Sequence, residues 1–487
     1  MAFSSPIFMF LFLPLVLALY WWIGSKWRNL FLIFTSIIFY MFGDIHGIFL
    51  LLFIIVVNYF LGIYVAKFRG TTYANIILWI AIGINLCALF YYKYDSVIIS
   101  SLNVILEPTT FAFPVVLWHE VPLGISFFTF TAISYVIDVY REETEPQKNL
   151  ADFALFMSLF PKISAGPIVR YTEIANEISD RKLNLEQFAY GVKRFVFGLG
   201  KKVLIADTLA ITADQIFEIP TQQLTAGVGW LGIITYTLQI YFDFSGYTDM
   251  AIGLGNMFGF KFTENFNYPY ISKSLTEFWR RWHISLSTWL RDYLFIPLSH
   301  ALMTERIRQK ISKREYKINY RAMFSIVAVF TICGLWHGAG KKYIVWGMLH
   351  GIVIATESTW LTKAMKRWWV PLQHVYFLFI IMVTWVFFRS PTLIDAVGYL
   401  KAMFGFSNSS ILYYNLSIYL KASFVMALFA GIFASFPIAT AIRDIFNTEK
   451  YSRLIPAIEI IGLAIIISIS FIAIASSTYN PFIYRQF

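Results

Sequence analysis

The chain has 487 residues, of which 58% are hydrophobic and only 14% charged, against roughly 25% charged in soluble domains; its mean hydropathy is +0.64. That composition excludes an ordinary soluble enzyme and predicts an all-α polytopic membrane protein, because a membrane barrel would need alternating short strands. The net charge of +11 sits largely in short loops, which fits a positive-inside bias and affinity for membrane lipid headgroups, not a nucleic-acid partner.

In chain order, the first apolar run, 6–23, lacks a basic leader and a small-residue cleavage site, so it reads as a retained span. Further runs long enough to cross a bilayer are 29–43, 45–66, 70–92, 121–137, 219–242, 322–340, 343–356, 369–388, 422–442 and 460–484. Runs 150–167, 188–205 and 278–297 are apolar but broken by charge or proline, and read as re-entrant or interfacial helices. About 11–12 crossings are expected, in a single integral-membrane domain over 1–487 with no internal repeat. Lys26, Arg28, Lys67 and Arg69 mark one side and Asp44 the other, placing the N-terminus outside. The segment 304–319 is then a charged cytoplasmic loop, and 480–487 an extracytoplasmic tail. Cys87 and Cys333 have no metal-ligand spacing, and no metal site is expected.

Ionisable groups at membrane depth are costly and are functional candidates by default. Read as one helix, 278–297 places Arg280, His283 or Ile284, Ser287 and Arg291 on one face, with Trp279, Trp282 and Trp289 beside it. Two readings stand. One is an anion-facing stripe, since arginine pairs with phosphates and carboxylates. The other is an interfacial helix whose arginines meet lipid phosphates and whose tryptophans sit at the headgroups. His337 ends an apolar run ahead of Gly338-Ala339-Gly340; it is either a general base or a histidine that holds a helix break. Tyr236, Gln239, Asp243 and Tyr247 share a helical face, with Asp243 placed to orient a histidine or to pair an arginine. Gly253-Leu-Gly255-Asn-Met-Phe-Gly259 has the wrong spacing for a phosphate loop, and Gly255 with Gly259 reads as helix packing.

Four stretches carry a resemblance. They are Leu159-Phe-Pro-Lys-Ile-Ser-Ala-Gly166-Pro167-Ile-Val-Arg170, Tyr241-Phe-Asp243-Phe-Ser-Gly-Tyr-Thr-Asp249, Phe278-Trp-Arg-Arg-Trp-His283 and Gly334-Leu-Trp-His337-Gly. Together they resemble the membrane-bound O-acyltransferases (MBOAT), most closely the bacterial branch that acylates cell-surface polymers and includes the alginate O-acetyltransferase membrane subunit. The resemblance implies a ring of helices around a thinned centre, with His337 as the catalytic histidine and His283 as the second. It further implies that Tyr484 relays the acyl group at the outer face. Beside it, Arg280 or Arg281 is a candidate to bind donor phosphates, and Trp336 and Asp243 are candidates for substrate binding. This chain has Arg485 where that branch more often has an aromatic. The donor would be acetyl-CoA or a carrier-protein thioester, with no bound cofactor. The partners would be an extracytoplasmic hydrolase-like transferase of the SGNH type and the machinery of exopolysaccharide synthesis, at the bacterial inner membrane. A D-alanyl transferase, a transporter or flippase, and a non-catalytic anchor are the competing expectations.

Overall fold

A computed structural model describes residues 1–106, 121–301, 320–406, 414–438 and 454–476. The charged loop 304–319 and the tail that carries Tyr484 lie outside the described residues. Among the described residues the elements are helices throughout. They pack into two compact units. Of the described residues, one comprises those within Met1–Leu199 and Tyr247–Thr263 together with 474–476; the other comprises those within Gly200–Gly246 and Glu264–Ala473.

Four helices are long and apolar enough to cross a bilayer: Gly47–Lys67, Thr72–Asp95, Val370–Arg389 and Ile455–Ser476. Shorter apolar helices, Phe8–Trp22, Ile125–Tyr140, Arg321–His337 and Ala422–Ala434, accompany them. Burial separates their roles. Ile455–Ser476 is 6% buried over its apolar window, and Phe49 and Phe53 on Gly47–Lys67 are 72% and 53% exposed, so these faces suit lipid. Ile125–Tyr140 is buried from Ile125 to Val139 and is a core helix of the first unit.

With little hydrophobic drive between helices in lipid, polar pairs and small residues fasten them. In the first unit, Asn58 and Asn85 exchange amide hydrogen bonds at 3.2 and 2.8 Å, and each also donates to the carbonyl one turn back in its own helix. Arg194 pairs with Asp249 at 2.6 Å. Gly191 and Gly253 bring two backbones together; a Cβ on either would lie 2.6 Å from the other's carbonyl oxygen. The packing glycine is thus Gly253. Gly255 rests against Phe262, and Gly259 lies beyond the helix at φ +83°. In the second unit the helices Tyr320–His337 and Lys341–Thr356 form a tight hairpin. Gly334 and Gly347 make it possible, since a Cβ there would meet Tyr343 O or Phe330 O at 2.2 Å.

Candidate active site

The second unit holds both expected histidines. His337 is the last residue of Tyr320–His337 and is 4% exposed. Its ring lies among Trp336, Trp346 and Phe388, with centroids 4.5, 5.0 and 5.1 Å away. Trp336 is itself buried. The result is an imidazole in an apolar cage at a helix C-terminus, where the partial negative charge of the helix end favours a cation.

The stretch around His283 is not one helix. It breaks at 280–283 into Leu275–Trp279 and a second helix that runs from Ile284 through a π-helical stretch, Arg291–Phe295, to Ala301. His283 stands at the break in the left-handed region, φ 43° and ψ 53°, a conformation that costs a non-glycine residue about 1–3 kcal/mol and clusters at functional sites. Asn265 holds it there. Asn265 Oδ1 accepts from Ser285 N at 3.1 Å and from Ser285 Oγ at 2.9 Å, which fixes the amide's orientation. His283 Nδ1 lies 3.2 Å from the same oxygen and must therefore donate to it. The proton is on Nδ1, and Nε2 carries the lone pair. Nε2 is buried and has no hydrogen-bond partner among the described residues. Burial also pushes the pKa of His283 down to about 3, so the ring stays neutral.

Three indoles link the neighbourhoods of the two histidines. Trp346, beside His337, stacks on Trp385 at 6.1 Å, and Trp385 packs on Trp282 at 5.4 Å, next to His283. Trp279, Trp282 and Trp289 are all buried, which rules out the reading that set them at the headgroups. Arg281 is ion-paired with Glu277 at 3.0 Å and donates to Asn267 O. Arg280 has no acidic partner among the described residues. Arg280, Ile284, Ser287 and Arg291 do share one face, with Ile284 and not His283 in the stripe.

Asp243 is buried and pairs with Lys202 Nζ at 2.7 Å. Lys202 also binds Asp207 at 2.6 Å. It stands on a π-helical turn, Lys201–Ala206, an element frequent at functional sites.

Sequence reasoning missed two residues. His350 is fully buried and accepts from Trp279 Nε1 at Nδ1, at 2.9 Å. Its Nε2–H therefore donates to Thr384 Oγ1 at 2.9 Å, and the Thr384 hydroxyl donates in turn to Ile381 O. Glu357 is fully buried and accepts from Leu275 N, Thr276 N and Thr276 Oγ1. Only its place at the polar end of an apolar run could have flagged it.

Residues 84–393 match the model of the membrane-bound O-acyltransferase family. The probable alginate O-acetylase AlgI of Pseudomonas aeruginosa is 44% identical over 83% of this chain and 75% of its own length. That of Azotobacter vinelandii is 38% identical over the whole of both chains. The peptidoglycan O-acetyltransferase of Helicobacter pylori is 34% identical over 84% of this chain and 81% of its own length. With the family model covering well over half its length and a buried histidine closing the Gly334-Leu-Trp-His337 motif, this chain is a membrane enzyme of the membrane-bound O-acyltransferase family.

Proposed function

We propose that the protein carries an acetyl group from a cytoplasmic thioester to the outer side of the bacterial inner membrane, for O-acetylation of a cell-surface or secreted polysaccharide. The observation that carries this reading is His337: a titratable base, 4% exposed, at a helix end inside an aromatic cage. The relatives that are O-acetylases over most of their length support it.

In this scheme His337 takes the proton of the acceptor hydroxyl as its oxygen attacks the thioester carbonyl. The tetrahedral intermediate collapses with loss of the thiolate, which receives the proton from His337. The ester bond forms as the thioester bond breaks, and no redox partner is required. The helix C-terminus beneath His337 stabilises the transient imidazolium, and the cage excludes water that would hydrolyse the thioester. His283, with its Nε2 lone pair open, accepts a hydrogen bond from substrate. Trp336 supplies a wall for the acyl group, and Asp243 acts through Lys202 to hold its helix in place. Arg281, on the segment that leads into His283, adds positive charge to the side from which the donor's phosphates approach. Acetyl-CoA is the donor, and Tyr484, outside the described residues, is the first acceptor. A separate extracytoplasmic transferase then delivers the group to the polymer made by the polysaccharide synthesis machinery.

The test uses purified protein in liposomes with radiolabelled acetyl-CoA, comparing wild type, His337→Ala and Tyr484→Phe. Thioester turnover or protein labelling in wild type, lost in His337→Ala with the protein still folded, is the expected result. Loss of covalent label in Tyr484→Phe identifies the relay. Wild-type levels of transfer in His337→Ala reject the assignment. Turnover only with an acylated carrier protein replaces acetyl-CoA as the donor and favours the D-alanyl branch.

A further inference from the structure

The face that carries Arg280 opens on a cavity of about 520 Å³, within the range of about 300–1,000 Å³ usual for small-ligand sites. Its walls are apolar, with Trp279, Ile326, Val329 and Phe330 among them, and its polar groups are Arg280, Ser287, Thr276, Thr288 and Arg291. Two of these are already engaged. Arg291 grips Asp292 with bonds of 2.7 and 3.1 Å, and Ser287 Oγ donates to Trp282 O. The Arg280 guanidinium is the cation left for an anion. The helix that supplies Ile326, Val329 and Phe330 also carries Phe324 and Ile332, 62% and 43% exposed, so the cavity adjoins a surface made for lipid.

We propose that this cavity binds one anionic phospholipid of the surrounding membrane, with an acyl chain along the apolar wall of Ile326, Val329 and Phe330 and its phosphate on Arg280. An apolar hollow with one free guanidinium at its edge matches an amphiphile with one anionic head. The donor is the rival source of the phosphate. Its thioester must reach His337, whose ring is enclosed by Trp336, Trp346 and Phe388. Neither these residues nor either catalytic histidine line the cavity. A lipid has no such requirement, and its chain needs only the apolar wall. This assigns the Arg280 stripe to the bilayer and separates it from the chemistry.

The test is photolabelling of the full chain in nanodiscs that contain phosphatidylglycerol with a diazirine in its acyl chain. The exposed face that bears Phe49 and Phe53 reports bulk lipid. Label enriched over that face on the peptide containing Ile326–Phe330 is expected. Arg280→Gln should lower this label about tenfold, the loss of one charge-assisted contact. Ile326→Trp, which fills the cavity and leaves the charge, should lower it as well, with bulk label unchanged in both. Label no higher than on the bulk face, or unaffected by both variants, overturns the site. Displacement of the label by acetyl-CoA also overturns it, in favour of the donor. The readout is label position and not turnover, so failure here and failure of the acyltransfer reading are distinguishable.

Discussion

Glu357 offers a sharp test of how the His283 segment is held. The short helix Leu275–Trp279 begins in the protein interior, and its first N–H groups have no partner within the helix. From Leu275 to Phe278 each N–H finds an acceptor. Leu275 N and Thr276 N donate to the two Glu357 oxygens at 2.9 and 2.8 Å. Glu277 N donates to Ser274 Oγ at 3.0 Å and Phe278 N to Ser274 O at 3.0 Å. Thr276 Oγ1 and Tyr376 OH donate to Glu357 at 2.6 and 3.3 Å. Glu357→Ala strands two buried backbone donors at about 1–3 kcal/mol each, or about 2–6 kcal/mol together. Glu357→Gln keeps one oxygen but turns an NH2 toward an N–H, costing about half of that. Thr276→Val removes one hydrogen bond to a charged group and leaves the backbone served, at about 1.5–3 kcal/mol or less. Glu357→Ala is expected to show the largest loss in apparent Tm, measured by thermal unfolding in detergent, with smaller losses for Glu357→Gln and Thr276→Val. Acetyl transfer should likewise fall most in Glu357→Ala, because the helix carries Trp279 and leads into His283. A Glu357→Ala protein with the wild-type Tm, or a Gln variant less stable than Ala, would refute the capping argument.

Three further outcomes follow from buried polar groups. Asn85→Leu should cost about 1–2 kcal/mol by breaking the reciprocal amide pair; the double variant with Asn58→Leu should recover most of it in the same melt, and a double less stable than either single contradicts the pairing. Lys202→Met takes its ion-pair partner from the buried Asp243 and from the partly exposed Asp207 and should cost about 3–5 kcal/mol, read as loss of folded protein in membranes; adding Asp243→Asn should restore part. His283 gives a pH dependence: with its pKa pushed down to about 3 by burial against an ordinary value near 6.5, the ring is neutral in both states above pH 6.5. As pH falls from about 6.5 toward 3, the unfolded chain gains a proton that the folded protein excludes, so stability drops across that window. His283→Asn, which suits the left-handed backbone, should flatten part of that fall in Tm against pH; an unchanged slope argues that the ring is protonated in the fold.

The sequence made the membrane helices legible because length and apolarity are local properties. The run 45–66 is the helix Gly47–Lys67, and the run ending at His337 is the helix Tyr320–His337. The stripe Arg280, Ser287, Arg291 survived the break in its helix, since all three line one cavity. What was illegible depended on distant partners. His283 turns left-handed because Asn265, 18 residues away, accepts from it and from Ser285. Asp243 meets Lys202 because a π-helical turn supplies it. His350 sat in a plain apolar run, with partners 71 and 34 residues away. Glycine choice failed for the same reason. The spacing singled out Gly255 and Gly259, while the close approaches fall at Gly253 and Gly347, and only the neighbouring helix decides that.

Burial does not distinguish His283 from His350; the hydrogen bonds do. His283 and His350 are both almost wholly buried. At His350 an indole, which can only donate, occupies Nδ1, so Nε2 must hold the proton that goes to Thr384. Both nitrogens are used, and protonation of Nδ1 would set two donors against each other. That ring is a joint between Leu275–Trp279, Lys341–Thr356 and Val370–Arg389, and its neighbour Trp346 carries the packing on to His337. At His283 the acceptor Asn265 fixes the opposite tautomer and leaves Nε2 with a lone pair and no partner among the described residues. A buried acceptor left open costs about 1–3 kcal/mol, added to the strain of the left-handed backbone. Two unfavourable terms at one residue, in a fold that satisfies His350 completely, are accounted for if His283 meets its partner only when substrate is bound.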